Sequence, residues 1–127
     1  MQPASSLIRL SRSAGPLHGN IALEGSKSIT NRALIALAMA GADPADWLVN
    51  AASSKDSETL ARLLVQTDGP YDAGDAGTTF RFMTAWLALK PGRQVLTGSS
   101  RMLERPVGPL VEALRSLGAE IRFLGNS

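Results

Sequence analysis

Apolar residues fill almost every position of two stretches of the chain, 33–40 (ALIALAMA, following GSKSITNR) and 78–89 (TTFRFMTAWLAL). Each is long enough for a short helix, and a helix apolar on all sides has to be surrounded by protein. Both are therefore expected inside the domain. Other segments are patterned on one side only. SKDSETLARLLV (54–65) sets Leu60, Leu63 and Leu64 on one face, with Asp56 and Glu58 early, and reads as an amphipathic helix. PLVEALRSLG (109–118) reads as another, with Pro109 suited to a first turn and Gly118 to a C-terminal cap. SSLIRLS (5–11) and GNIALEG (19–25) alternate apolar and polar residues and predict two strands separated by the turn SAGPLHG. WLVN (47–50), RQVLTGSS (93–100) and AEIRFLG (119–125) predict three more.

The pattern occurs twice. A glycine, Gly25 and then Gly77, opens an apolar helix. A strand, a serine pair (Ser53/Ser54, then Ser99/Ser100) and an amphipathic helix follow. The offset of roughly fifty residues lies in the range of internal structural repeats. Apolar helices with strands and amphipathic helices around them present only their ends to solvent, and at an N-terminal end four backbone N–H groups lack intrahelical acceptors. Those N–H groups and the positive end of the helix dipole make each mouth a site for anions.

The side chains at the mouths suit the same chemistry. Lys27, Ser28 and Arg32 stand at the first, with Ser28 and Arg32 four residues apart on one helix face. DAGTTFR supplies Asp75, Gly77, Thr78, Thr79 and Arg81 at the second, and RMLERP brings Arg101 and Arg105 ahead of the last helix. Each residue has an ordinary reading as well. Ser28 and Thr78 are common helix caps, Lys27 a common surface lysine, Gly77 a turn glycine, Arg81 a structural partner of Asp75 or of a C-terminal carbonyl, and the charges of SSKDSETLAR a solvated helix face. The recurrence of a cation at successive helix starts favours an anion site and specifies no more.

Composition narrows the class. The chain has 127 residues, 44% of them apolar, which suits one small globular domain. Thirteen Lys and Arg against eleven Asp and Glu leave a net charge of +2, so the pI near 9.5 reflects a small imbalance. Small anions fit this better than nucleic acid. The absence of cysteine removes disulfides, thiolate metal sites and cysteine nucleophiles. The single histidine, His18, lies between Pro16 and Gly19 in a turn and reads as a solvated residue. No secretory signal precedes the first strand, no run reaches the ~18 apolar residues of a membrane span, and a cytoplasmic location is the expectation.

Three segments, GSKSITNRALIALAM, DAGTTFRFMTAWLA and LTGSSRMLERPVGPLVEALRSLGA, resemble in order three signature segments of the 5-enolpyruvylshikimate-3-phosphate synthase family, from about Gly25 to Ala119. The resemblance implies transfer of the carboxyvinyl group of phosphoenolpyruvate to the 5-hydroxyl of shikimate 3-phosphate, with release of phosphate and no metal or organic cofactor. It implies Lys27 and Arg105 as catalytic residues. Lys27 would touch both substrates, Ser28 and Arg32 would hold shikimate 3-phosphate, and Gly77 and Arg105 would line the phosphoenolpyruvate site. Asp75, Thr78, Arg81 and Arg101 would stand behind them. Glyphosate would inhibit the complete enzyme. The implied fold is mixed α/β (α+β), an inside-out barrel of βαβαββ repeats, about two of which are present here.

The chain departs from the family pattern at Asp75, where many members have asparagine, at Phe82, where many have proline, and in the short connection between Leu64 and Asp75. Residues 1–127 then read as a partial N-terminal region, with 1–17 a strand belonging to the other domain and 18–127 an incomplete repeat domain. Such a piece carries one wall of an active site, is inactive alone, and self-associates. The alternatives are a UDP-N-acetylglucosamine enolpyruvyl transferase, which typically opens with Gly-Ala-Lys-Asn where this chain has Gly25, Ser26, Lys27 and Ser28, and a non-catalytic anion-binding or interaction module.

Overall fold

A computed structural model of the chain describes residues 8–12 and 14–125. Their elements run α1 (Lys27–Ala40), α2 (Pro44–Trp47), α3 (Lys55–Val65), β1 (Tyr71–Asp72), α4 (Gly77–Ala88), β2 (Leu96–Thr97), α5 (Ser100–Leu103) and α6 (Gly108–Ser116). The fold is mixed, predominantly helical with few strands.

The four longer helices lie where the apolar pattern predicts them, and local chemistry explains their ends. Ser26 caps α1 and Gly41, at φ 66°, closes it in the left-handed conformation that a glycine adopts without strain. Ser54 caps α3 by accepting a hydrogen bond from Ser57 N at 3.3 Å. Pro109 sits in the first turn of α6, and Gly118 donates its N–H to the Arg115 carbonyl just past the helix end.

Helix α3 packs between α1 and α4, and α1 and α4 meet mainly through it. Leu34 of α1, Leu60 and Leu63 of α3, and Met83 and Leu87 of α4 form the core with Tyr71 and Ala73. Strands β1 and β2 pair in parallel, Tyr71 opposite Leu96 and Asp72 opposite Thr97. Parallel strands need a crossover connection, and α4 supplies it. Ser99 N extends the pairing by donating to Gly74 O at 3.1 Å, which fixes the start of α5 beside the start of α4.

Several expectations are corrected. Residues 8–11 and 19–25 form no strand, and Ile8, Leu10, Ile21 and Leu23 are exposed; the rest of the first predicted strand, 5–7, lies outside the described residues. Residues 119–125 are irregular as well. An alternating segment becomes a strand only when a neighbour takes up its backbone hydrogen bonds, and among the described residues none lies alongside.

WLVN fails for a local reason. Asp43 accepts from Ala45 N at 2.9 Å and Pro44 fills the first turn, so the segment enters helix α2 and Trp47 ends it. Asn50 then takes φ 55°, outside the extended range. Helix α1 is not covered on all sides either: it buries Thr30, Asn31 and Leu34 but leaves Ile29 71% and Met39 63% exposed. Helix α4 is nearer the expectation, with Thr79, Met83 and Leu87 buried and Phe80, Phe82 and Trp86 partly so. Beside α4 a groove of about 1400 Å³ is lined by Phe80, Leu87, Val111, Ile121 and Phe123, with Arg105 among its walls.

Candidate functional site

The first turns of α1, α3 and α4 converge. Thr30 Oγ1 accepts from Ala52 N at 3.0 Å, and Ser57 Oγ donates to Asn31 Oδ1 at 2.7 Å; both polar side chains of α1 are buried, so these bonds register α3 against α1. Thr79, fully buried in the first turn of α4, donates its hydroxyl to the Asp56 carbonyl at 2.8 Å and registers α4 against α3. Three positive helix ends are thereby held together.

The α1 mouth differs in detail from the sequence reading. The cap is Ser26, whose Oγ accepts from Ile29 N at 3.5 Å, and Ser28 lies inside the helix. Arg32 folds back one turn, bonding the Ser28 carbonyl at 2.9 Å and the Ser28 hydroxyl. Serine and arginine therefore present a hydroxyl and a guanidinium side by side at the surface. Lys27 is not a free surface lysine: its Nζ lies 3.5 Å from Asp56 Oδ2, with the two side chains 51% and 25% exposed. Glu24, just before the mouth, accepts from Ser53 Oγ at 2.5 Å and from Ser53 N at 3.3 Å. The hydroxyl bond first and the backbone bond second hold its carboxyl below the usual range.

At the α4 mouth, Ala76 occupies the cap position and no side chain caps the helix. Gly77, the first helical residue, lies against Arg105: a Cβ on Gly77 would collide with Arg105 Nη1 and sit 3.3 Å from its Cζ. The guanidinium is thus stacked at an uncapped positive helix end. Asp75 takes the Ser99 hydroxyl bond and is not the partner of Arg81, which donates to the Pro106 carbonyl at 3.2 Å. Thr78 is half-buried at the helix start, and Arg101 is exposed on α5.

Lys27 pairs with Asp56, the Asp56 carbonyl accepts from Thr79 in the first turn of α4, and Gly77 in that same turn lies against Arg105. Ser28 and Arg32 pair at the surface of the α1 mouth, Arg81 is taken up by the Pro106 carbonyl, and Arg101 is exposed on α5. The sequence pattern leaves Asp56 on a solvated helix face and gives no sign of the buried Asn31 and Ser57, while the Thr79 hydroxyl, expected to face a ligand, instead holds the Asp56 carbonyl. An acidic residue in a first helical turn is ordinary, so nothing local marks Asp56 as the partner of a lysine 29 positions earlier. Among the described residues no helix is long and apolar enough to cross a membrane.

The model for the family described as EPSP synthase (3-phosphoshikimate 1-carboxyvinyltransferase) matches residues 50–127. Relatives named 3-phosphoshikimate 1-carboxyvinyltransferase include one from Bacteroides fragilis (strain YCH46), 41% identical over 110 residues, covering 87% of this chain and 26% of the relative. One from Shewanella amazonensis is 38% identical over 134 residues, covering 87% and 31%, and one from Trichormus variabilis is 39% identical over 137 residues, covering 88% and 32%. The chain thus spans about a quarter to a third of the length of these curated relatives. No solved structure matches it. With the family model covering the second and third motifs and the relatives extending over most of the remainder, the chain belongs to the EPSP synthase (3-phosphoshikimate 1-carboxyvinyltransferase) family.

Proposed function

We propose that this chain supplies one wall of an active site that transfers the carboxyvinyl group of phosphoenolpyruvate to the 5-hydroxyl of shikimate 3-phosphate. The observation that carries the reading is the Arg105 guanidinium against Gly77 at the uncapped end of α4, joined through Thr79 and Asp56 to Lys27. A cation beside a positive helix end is repelled by it, and an anion bound at both is attracted by each. Phosphoenolpyruvate carries the phosphate and carboxylate this arrangement favours.

In this reading the substrate hydroxyl adds to C2 of the enolpyruvyl group and C3 gains a proton. The tetrahedral adduct then loses that proton equivalent and phosphate to restore the double bond. Arg105 and the α4 N–H groups hold the phosphoenolpyruvate anion and stabilise charge gathering on the departing phosphate, a role suited to preorganised donors. Lys27 faces both substrates, and the Ser28–Arg32 pair holds shikimate 3-phosphate. Acid–base groups come from outside this wall. Glyphosate, an anion itself, competes at the Gly77–Arg105 end. The wider arrangement proposed is an inside-out barrel of βαβαββ units in a cytoplasmic enzyme, with residues 18–127 forming an incomplete repeat domain and 1–17 belonging to the other domain.

Titration of phosphoenolpyruvate and shikimate 3-phosphate into the chain, followed by amide NMR, tests this. Binding near millimolar, about 4 kcal/mol, with shifts at Gly77, Thr78, Lys27 and Ser28 that vanish in Arg105→Ala and Lys27→Ala respectively, is the expected result. Undisturbed amides at both mouths under saturating ligand would remove the reading.

A further inference from the structure

We propose that Asp56 is a positioning residue for this site: its carboxylate aims Lys27 and its carbonyl, held by Thr79, ties that aim to the mouth of α4. The proposal rests on the reading of Lys27 as a substrate ligand and adds how that ligand is held.

Asp56 makes contacts in two directions from one position. Its Oδ2 lies 3.5 Å from Lys27 Nζ on α1, and its backbone oxygen accepts the 2.8 Å bond from Thr79 on α4. Helices α1 and α4 meet mainly through α3, so residue 56 is a joint through which the spacing of the two mouths is set. The Thr79 hydroxyl is fully buried and crosses to the neighbouring helix instead of bonding a carbonyl of its own, the usual local choice for a helical threonine.

Coulomb attraction for substrate does not explain a carboxylate here. Asp56 occupies the first turn of α3, where the helix dipole already favours it, whereas Lys27 in the first turn of α1 sits against the dipole of its own helix. A negative charge at an anion site lowers anion affinity by itself. Orienting the lysine is the contribution that offsets this, and it makes opposite predictions for directed and undirected anions.

The experiment compares the chain with Asp56→Asn, Asp56→Glu and Thr79→Val. Lysine ammonium signals are followed by 15N–1H NMR, and binding of shikimate 3-phosphate and of inorganic phosphate by calorimetry. In the unaltered chain the Lys27 signal is expected to be ordered beside that of the exposed Lys55. Asp56→Asn should make it like Lys55, Thr79→Val should loosen it in part, and Asp56→Glu should restore it in part. Affinity for shikimate 3-phosphate should fall by up to about fivefold in Asp56→Asn, while inorganic phosphate binds unchanged or tighter.

Equal tightening of both anions would overturn the proposal, because it is the signature of a repulsive charge without a positioning role. A Lys27 signal indifferent to Asp56→Asn would overturn it too, and one indifferent to Thr79→Val would overturn the tie between mouths. Should Asp56→Asn not fold, Asp56→Glu and Thr79→Val decide the same points. If the unaltered chain binds neither anion, the functional reading falls, while the ammonium comparison still decides the role of Asp56.

Discussion

At the scale of single residues, two glycines separate packing from function. A Cβ on Gly25 would collide with the Asn50 carbonyl oxygen and stand 3.1 Å from Asn50 C and 3.3 Å from Ala51 C. These are backbone atoms and cannot swing aside, so Gly25→Ala should cost about 1–3 kcal/mol, read as a lowered thermal midpoint. At Gly77 the obstruction is the far end of a flexible arginine. Gly77→Ala should leave stability nearly unchanged, move Arg105, and weaken phosphoenolpyruvate and glyphosate binding together. Equal affinities before and after the change would mean that Arg105 at Gly77 has no part in the site. Lys27→Ala and Arg32→Ala remove exposed cations and should each weaken shikimate 3-phosphate binding by about 1.5–3 kcal/mol, at an unaltered melting temperature. Glu24 gives a pH signature with a definite sign. Its carboxyl is held below the usual range by Ser53, so the Glu24–Ser53 contact favours the folded chain above the ordinary carboxylate pKa. That contribution disappears as pH falls through the lowered folded value. In Ser53→Ala, which removes the hydroxyl bond and keeps the backbone one, NMR titration should find the Glu24 carboxyl raised part of the way toward its ordinary value.

At the scale of elements, α3 organises the domain. It contributes Leu60 and Leu63, both fully buried, and its first turn bonds α1 through Ser57 and α4 through the Asp56 carbonyl. Leu63→Ala should destabilise by about 2–5 kcal/mol, as monitored by chemical denaturation, and should blur both mouths together. A comparable truncation on the open face of α1, Ile29→Ala, should stay within about 0.5 kcal/mol. The α3 prediction fails if the two substitutions cost the same. This asymmetry was only half legible in the pattern of residues. Leu60 and Leu63 announce a buried face by their spacing, whereas the apolar run of α1 predicts burial on all sides and obtains it on one. Periodicity reports what a helix can bury, and the neighbours present decide what it does bury.

At the scale of the whole molecule, apolar surface is left open. Ile21, Leu23, Ile29, Val49, Leu117 and Leu124 are exposed, and the groove beside α4 is walled by Phe80, Val111 and Phe123. Open apolar surface of this kind drives association. Sedimentation should therefore show mass rising with concentration, and a single monomeric species across the range would show that the helices close their core unaided.

What the sequence determined by itself was local in origin. The extents of α1, α3, α4 and α6 follow from apolar spacing and from Ser26, Gly41, Ser54, Pro109 and Gly118 at their ends, because capping and amphipathicity act over one or two turns. The cations near the helix starts, Lys27, Arg32 and Arg105, are likewise legible in the chain itself. Tertiary structure decided the rest. Whether an alternating segment is a strand depends on a partner for its backbone, found by Tyr71–Asp72 in Leu96–Thr97 and by neither 8–11 nor 19–25 among the described residues. Which cation meets which helix end depends on contacts between residues far apart in the chain. Arg105 reaches Gly77 because β1 and β2 bring the starts of α4 and α5 together, and Lys27 meets Asp56 because Asn31, Ser57 and Thr79 bond in register across three helices.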